Sequence, residues 1–147
     1  MSAPDATLFD KKGVIVAHVK ARSGSGNSRS VLTGSGLGAL MGGEATLYQK
    51  GSPASTLRAD RIDVDQATQT VTGTGNVVAR SLTEVGAPAI RADKMTWRHD
   101  KNEIRGSGNV LVTRDPDMRL PGKSFVADTR LRRFTLTSSG APASGTF

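Results

Sequence analysis

Residues 57–80 align without a gap on residues 90–113, an offset of 33. Seven of the 24 aligned pairs are identical: Arg58/Arg91, Ala59/Ala92, Asp60/Asp93, Gly73/Gly106, Gly75/Gly108, Asn76/Asn109 and Val77/Val110. Most other pairs keep their character, among them Ile62/Met95, Val64/Trp97 and Val71/Ile104. A chain that repeats itself at this spacing buries its apolar faces by stacking copies of one small unit. A looser copy lies upstream, where Ala6–Phe9 matches Ala45–Tyr48 and Gly34-Ser35-Gly36 falls where Gly73-Thr74-Gly75 stands later; a half copy runs from Phe125 to Leu136. The repeat divides a single domain of residues 1–137 into units at about 6–44, 45–89, 90–122 and 123–137, followed by a flexible tail, 138–147.

Each unit alternates at period two, which marks a half-buried strand. One face carries Val71, Gly73, Gly75, Val77 and Ala79; in the next copy it carries Ile104, Gly106, Gly108, Val110 and Val112. Four-residue turns are expected at 66–69 and 99–102, so each unit is mainly a hairpin. Two inward glycines weaken a strand, and a sharp bend or a close approach of another sheet or of a ligand would account for them. One hairpin cannot cover its own apolar face. The expected fold is therefore all-β, a two-sheet sandwich or open roll built from stacked hairpin repeats. Composition agrees: 17 glycines, six aromatics among 147 residues and few glutamates favour strands and turns over helices. The expected loops are 23–30, 81–89 and 115–123, with at most a helical turn near 37–41.

The absence of cysteine excludes disulfides, thiol nucleophiles, Cys-ligated zinc and iron–sulfur clusters. No apolar run approaches the roughly 18 residues of a membrane helix, and the first residues lack the basic flank and apolar stretch of a signal peptide. The net charge of +7 favours a polyanionic partner, and most of the excess lies beyond residue 90. Nucleic acid is not expected, because no recognition motif or row of aromatics accompanies the charge. Gly34-Ser35-Gly36-Leu37-Gly38-Ala39 fits the dinucleotide fingerprint only without its βαβ context, and Gly122-Lys123-Ser124 lacks the earlier glycine of a P-loop. Asp63 and Asp65 share a strand face as a weak cation candidate, although a solvated face explains them as well. No catalytic constellation is visible, and no cofactor or metal site is expected.

The recurring pattern Arg-Ala-Asp-x-Met/Ile followed by Gly-x-Gly-Asn-Val stands at Arg58–Ile62 with Gly73–Val77, and at Arg91–Met95 with Gly106–Val110. It resembles the OstA-like superfamily of periplasmic lipopolysaccharide-transport proteins, which includes LptA- and LptC-like members. The resemblance covers residues 57–136 well and residues 6–56 weakly, and the Gly-rich stretch 23–43 departs from it. It implies an open, V-shaped β-jellyroll whose interior holds lipid A acyl chains and whose end strands join neighbouring jellyrolls into a transenvelope bridge. The implied partners are lipopolysaccharide or a related anionic glycolipid, other jellyroll transport proteins or a second copy through edge-strand addition, and inner-membrane transporter components. The implied location is the periplasm, with a targeting or anchor segment absent from this chain, and the lean is towards an LptC-like form or a broader OstA-like relative.

On this reading the groove is lined by Ile62, Val64, Val71, Val77, Met95, Trp97, Ile104, Val110, Val112, Phe125, Phe134 and Leu136. The head-group candidates are Arg91, Lys94, Arg119, Lys123, Arg132 and Arg133, because a guanidinium makes two charge-assisted bonds to a phosphate. Further cations considered are Arg98, Arg105, Arg114 and Arg130. The edges open to strand addition are 7–9 with 14–19 at the front and 130–137 at the back. The rival from another class is a structural β-repeat that stacks with partners and binds no lipid. A third reading, a polyanion-binding module, predicts affinity that falls steeply with salt.

Overall fold

A computed structural model describes residues 5–24, 37–65, 67–115, 117–138 and 142–146. Ten strands are seen among them: β1 (Asp5–Phe9), β2 (Ile15–Gly24), β3 (Leu37–Gln49), β4 (Ser52–Asp65), β5 (Thr70–Ser81), β6 (Ala89–Arg98), β7 (Glu103–Arg114), β8 (Met118–Asp128), β9 (Arg133–Thr137) and β10 (Pro142–Thr146). They form one antiparallel sheet in chain order, each strand paired with its neighbours in sequence. The first and last strands do not pair with each other, so the sheet is not closed into a barrel. The turns expected at 66–69 and 99–102 join β4 to β5 and β6 to β7; the second contains a short 3₁₀ turn, His99–Lys101.

The conserved pattern of the two repeats builds a corner in the middle of each long strand. In β4, Leu57 and Ala59 point inward, Asp60 and Arg61 both point out, and Ile62 and Val64 point inward again. In β6 the same break separates Ile90 and Ala92 from Met95 and Trp97, with Asp93 and Lys94 outward. The return strands absorb the break as a bulge. Arg58 pairs with Val78 but Arg61 pairs with Thr74, so two residues of β4 oppose three of β5. The extra length is taken up by consecutive left-handed residues, Gly75 (φ +84°) and Asn76 (φ +48°), and in β7 by Gly108 and Asn109. Asparagine tolerates this backbone region better than most side chains do. Across each corner the asparagine amide donates to the aspartate: Asn76 Nδ2 to Asp60 Oδ2 at 3.0 Å, and Asn109 Nδ2 to Asp93 Oδ2 at 3.0 Å. A Cβ at position 75 would stand 2.8 Å from the Asp60 carboxylate, and one at position 73 would stand 2.8 Å from Leu57. The inward glycines are thus explained by a bend and by close approach of neighbouring side chains.

These corners fold the sheet over on itself. From Thr70 to Ser81 a flat β5 would span about 35 Å at about 3.3 Å per residue. Phe9 lies at the Ser81 end of that span by register, and Gln69 at the Thr70 end. Even so, Gln69 Nε2 donates to the Phe9 carbonyl at 2.8 Å. Glu84, after β5, likewise approaches Arg132, which follows the far end of β8. Turns from opposite ends of the strands therefore meet along a mouth, and the corners form the apex. The result is a roll with two leaves, the long strands β3 to β8 each contributing a part to both. Its interior holds Leu8, Val16, Val19, Leu47, Leu57 and Ile90 together with the expected lining, all at or near zero exposure. A single sheet shields a face this completely only by closing against itself.

Several stretches differ from expectation. Residues 37–41 belong to strand β3 and not to a helical turn. Residues 118–123, expected as loop, open β8, where Pro121 pairs with Leu111 of β7. β9 reaches only Ser124–Ala127, so Pro121 stands on a locally open edge where its missing N–H costs no ladder bond. Residues 142–146, placed in a flexible tail, form β10 on β9, with Pro142 opposite Thr137. Backbone pairing on an open edge is indifferent to a Ser/Gly/Ala side-chain pattern, so composition could not find it. The back edge is accordingly β10 and not 130–137. Gly34-Ser35-Gly36 lies outside the described residues; in β3 the corner is made at Gly42 (φ +62°), with Gly43 opposite Ala59 of β4.

Candidate functional site

The interior is the largest apolar feature of the molecule. All twelve residues expected to line a groove point into it and are 5% exposed or less. They come from both leaves. Val77, Val110 and Val112 lie on the apex-to-Ser81 side, and Val71, Met95, Trp97 and Ile104 lie on the apex-to-Thr70 side. Phe125 and Leu136 oppose each other on β8 and β9. Trp97, the single tryptophan, donates from Nε1 to the buried Thr129 hydroxyl at 3.1 Å, which ties β6 to the turn after β8. That turn carries Leu131, fully buried with φ +58°. A bulky side chain in the left-handed region is strained, and here burial of an apolar side chain at the mouth offsets that strain. Asp128 Oδ1 holds the turn by accepting from the backbone N–H groups of Arg132 and Arg133, each at 2.8 Å.

Closure of the mouth is polar where the described contacts cross it. Arg132 Nε stands 3.9 Å from Glu84 Oε1, with both side chains partly exposed, and Gln69 bonds the Phe9 carbonyl. An exposed ion pair contributes at most about 1 kcal/mol. The leaves are held together mainly by the packed interior and only weakly by their rims.

The six expected head-group cations are all exposed, and the structure does not gather them. Arg132 and Arg133 stand on one lip of the mouth, and Arg119, opposite Thr113 at the start of β8, stands on the other. Arg91, Lys94 and Lys123 lie on the outer face beside the corners, where Arg91 pairs with Leu111 and Lys94 with Ser107. Arg130 contributes a buried Nε with no hydrogen-bond partner at the first lip. Arg105 is engaged on the outer face. Its Nε donates to Glu103 Oε2 at 2.8 Å, and this bond holds the Glu103 carboxyl below its ordinary range and raises the Arg105 value. Arg98 pairs with Asp100 at 3.5 Å. Asp63 and Asp65 also have partners. Asp63 accepts from Arg61 at 3.0 Å, and Asp65 Oδ1 accepts from the backbone N–H of Ala67 at 3.0 Å to hold the β4–β5 turn. Among the described residues, no three His, Asp or Glu side chains gather where they could hold a metal ion.

An open cleft of about 560 Å³ lies on the outer face over the corner, lined by Lys20, Glu44, Arg58, Asp60, Asn76 and Arg80. Its central Arg58 is drawn to Glu44 at 3.6 Å, and its Asp60 and Asn76 belong to the corner itself.

Sequence reasoning missed Leu57 and Ile90 as inward-facing residues because it carried one phase of alternation through β4 and β6. The signal available was a pair of consecutive polar residues, Asp60-Arg61 and Asp93-Lys94, inside otherwise alternating strands. Leu131 carried no pattern at all, since its burial depends on the opposite end of the sheet.

Among solved structures, the chain is similar to LptH, the LptA homologous periplasmic component of the conserved lipopolysaccharide transport device from Pseudomonas aeruginosa. The superposition has a TM-score of 0.60 at 13% sequence identity and covers 89% of this chain and 93% of that one. No protein-family model matches the sequence, and no curated protein matches it significantly. The likeness is one of fold, and the fold is an LptA-like β-jellyroll. No described helix is long and apolar enough to cross a membrane.

Proposed function

We propose that this chain is a non-enzymatic lipid-transfer protein of the periplasm, which carries lipopolysaccharide or a related anionic glycolipid with its acyl chains between the two leaves of the roll. The observation that supports this most is the interior itself: a predominantly apolar lining drawn from both leaves of a sheet that is not closed, meeting at a mouth bridged by polar contacts. Each acyl methylene buried there is worth about 0.8 kcal/mol, so a few chains outweigh the rim contacts that must part. Arg119, Arg132 and Arg133 are the exposed cations at the mouth that would meet phosphates. Arg91, Lys94 and Lys123 serve the outer surface. Transfer would be passive, between adjoining grooves, with energy supplied by a partner transporter. The open edges β1 and β10 are where other jellyrolls, or a second copy, would add.

The closed interior also favours a second reading, a stacking module that holds no lipid. The two are separated by placing a photocrosslinking residue at Val110, which points inward, and at Leu111, its outward neighbour opposite Arg91. Asn109 is left intact because its amide holds the corner. After irradiation with lipopolysaccharide, the carrier gives an adduct at 110 and none at 111. Adducts at both positions indicate surface adhesion, and adducts at neither in a folded protein assign the stacking role.

A further inference from the structure

The large hydrophobic side chains that remain exposed among the described residues are Phe9, Val14, Leu82, Val85 and Leu120. Scattered apolar residues need no explanation, but these are not scattered. All five lie at the strand ends and turns that form one lip of the mouth. The opposite lip, made by the turns 66–69, 99–102 and 129–132, presents none among the described residues. Consecutive turns of the apolar lip touch. A Cβ on Gly51 would lie 3.5 Å from Val14, Leu82 N–H donates to the Ala54 carbonyl, and Asp115 N–H donates to the Gly86 carbonyl.

Val85 stands at the crest of the β5–β6 loop, 83% exposed. The loop is held there. Ser81 Oγ accepts from the N–H groups of Thr83 and Glu84, Ser81 N–H donates to the Pro88 carbonyl, and Arg114 Nε donates to the carbonyl of Val85 itself at 3.2 Å. An apolar side chain fixed in water by bonds on both sides of its loop is presented, not merely left over. Cations stand between the apolar tips: Lys11, Lys12 and Lys50 on the turns, and Arg80, Arg114 and Arg119 on the strand ends. Of the lip's carboxylates, Asp10 is spent on its own turn, accepting from the backbone of Lys12 and Val14, Glu84 faces Arg132, and Asp115 and Asp117 stand exposed on the β7–β8 turn, so cations still outnumber carboxylates along the lip.

We propose that this lip docks on an anionic lipid bilayer, with Leu82, Val85 and Val14 inserted at the interface and the interleaved lysines and arginines at the phosphates. Charge complementarity decides the occupant, together with the spacing of the tips. The tips sit on three turns, Phe9 and Val14 on β1–β2, Leu82 and Val85 on β5–β6 and Leu120 on β7–β8, so neighbouring groups stand about 10–20 Å apart with Lys50 and the strand-end arginines between them. A protein interface concentrates its apolar residues in a packed centre, whereas a headgroup layer accepts separate apolar tips set among basic ones. Docked in this way, the mouth opens at the membrane surface. The proposal rests on the lip alone and stands apart from what the interior holds.

The test uses sedimentation with vesicles of phosphatidylcholine containing about one-third phosphatidylglycerol. The protein is expected to bind them, and to bind vesicles of phosphatidylcholine alone more weakly. The double variant Leu82→Ser, Val85→Ser is expected to lose about tenfold or more in partition while keeping the circular dichroism of the parent. As a signal gained instead of lost, Val85→Trp in a Trp97→Phe background is expected to be quenched by brominated lipid, and Lys101→Trp in the same background, on the opposite lip, is not. Unchanged binding by the double variant, equal quenching at both lips, or no binding to the anionic vesicles would overturn the proposal. So would self-association in solution that the double variant abolishes, which would assign the lip to contact between copies.

Discussion

The corner residues carry two separable costs, conformation and contact, and two glycines in this chain isolate them. Gly13 has φ +82° with nothing near a would-be Cβ, whereas Gly108 has φ +87° with the Asp93 side chain in the way. Gly13→Ala is expected to cost about 1 kcal/mol of strain alone. Gly108→Ala is expected to cost about 2–3 kcal/mol, because the Asp93–Asn109 bond must also be displaced. Urea unfolding of both variants checks the ordering, and equal losses would show that the Asp93 contact adds nothing. The same bond explains the repeated Ala-Asp and Gly-Asn pairs of the sequence: each names one partner of a bridge that spans a bulge.

Within elements, the ion pair linking the start of β7 to itself sets a pH dependence. The bond from Arg105 lowers the folded pKa of Glu103. A carboxyl with a depressed folded value contributes stability that is fully present above its unfolded value, about 4.3, and is lost as pH falls through the folded value. Arg105→Gln is therefore expected to lower the melting temperature at neutral pH and to flatten its decline below about pH 4; an unchanged acid limb would show that Glu103 gains nothing from this partner. The link from β6 to the β8–β9 turn is neutral and buried. Trp97→Phe removes the donor from Thr129 and is expected to cost about 1–3 kcal/mol, since the hydroxyl stays buried without its partner. Thermal unfolding followed by circular dichroism reads that loss.

For the whole molecule, stability and closure are expected to come apart. Glu84→Lys sets two cations across the mouth where an exposed pair now stands, so it should change stability by less than about 1 kcal/mol. The same variant should raise quenching of Trp97, the sole tryptophan, by acrylamide and raise the crosslink yield at Val110 with lipopolysaccharide. A loss of stability well beyond about 1 kcal/mol together with raised access would place the closing force in this pair and not in the interior.

What the amino-acid order determines here is local. Period-two alternation and turn residues act between near neighbours, so the all-β class, the hairpins of each repeat and much of the inward face were legible, down to the burial of all twelve residues expected to point inward. The tandem Gly-x-Gly-Asn pattern left a sharp bend and a close approach of a sheet or ligand equally open, and the phase break of β4 and β6 was not read, which is why Leu57 and Ile90 were missed. Strand β10 and the first half of β8 escaped because an open edge recruits backbone whatever its side chains. Only the folded sheet decided the rest. Glu84 meets Arg132, and Phe9 meets Gln69, across about 35 Å of flat strand that the corners bring together. The burial of Leu131, the division of the cations between mouth and outer face, and the gathering of exposed apolar tips on one lip follow from that fold-over. They are relations between distant residues, and no window of sequence contains both partners.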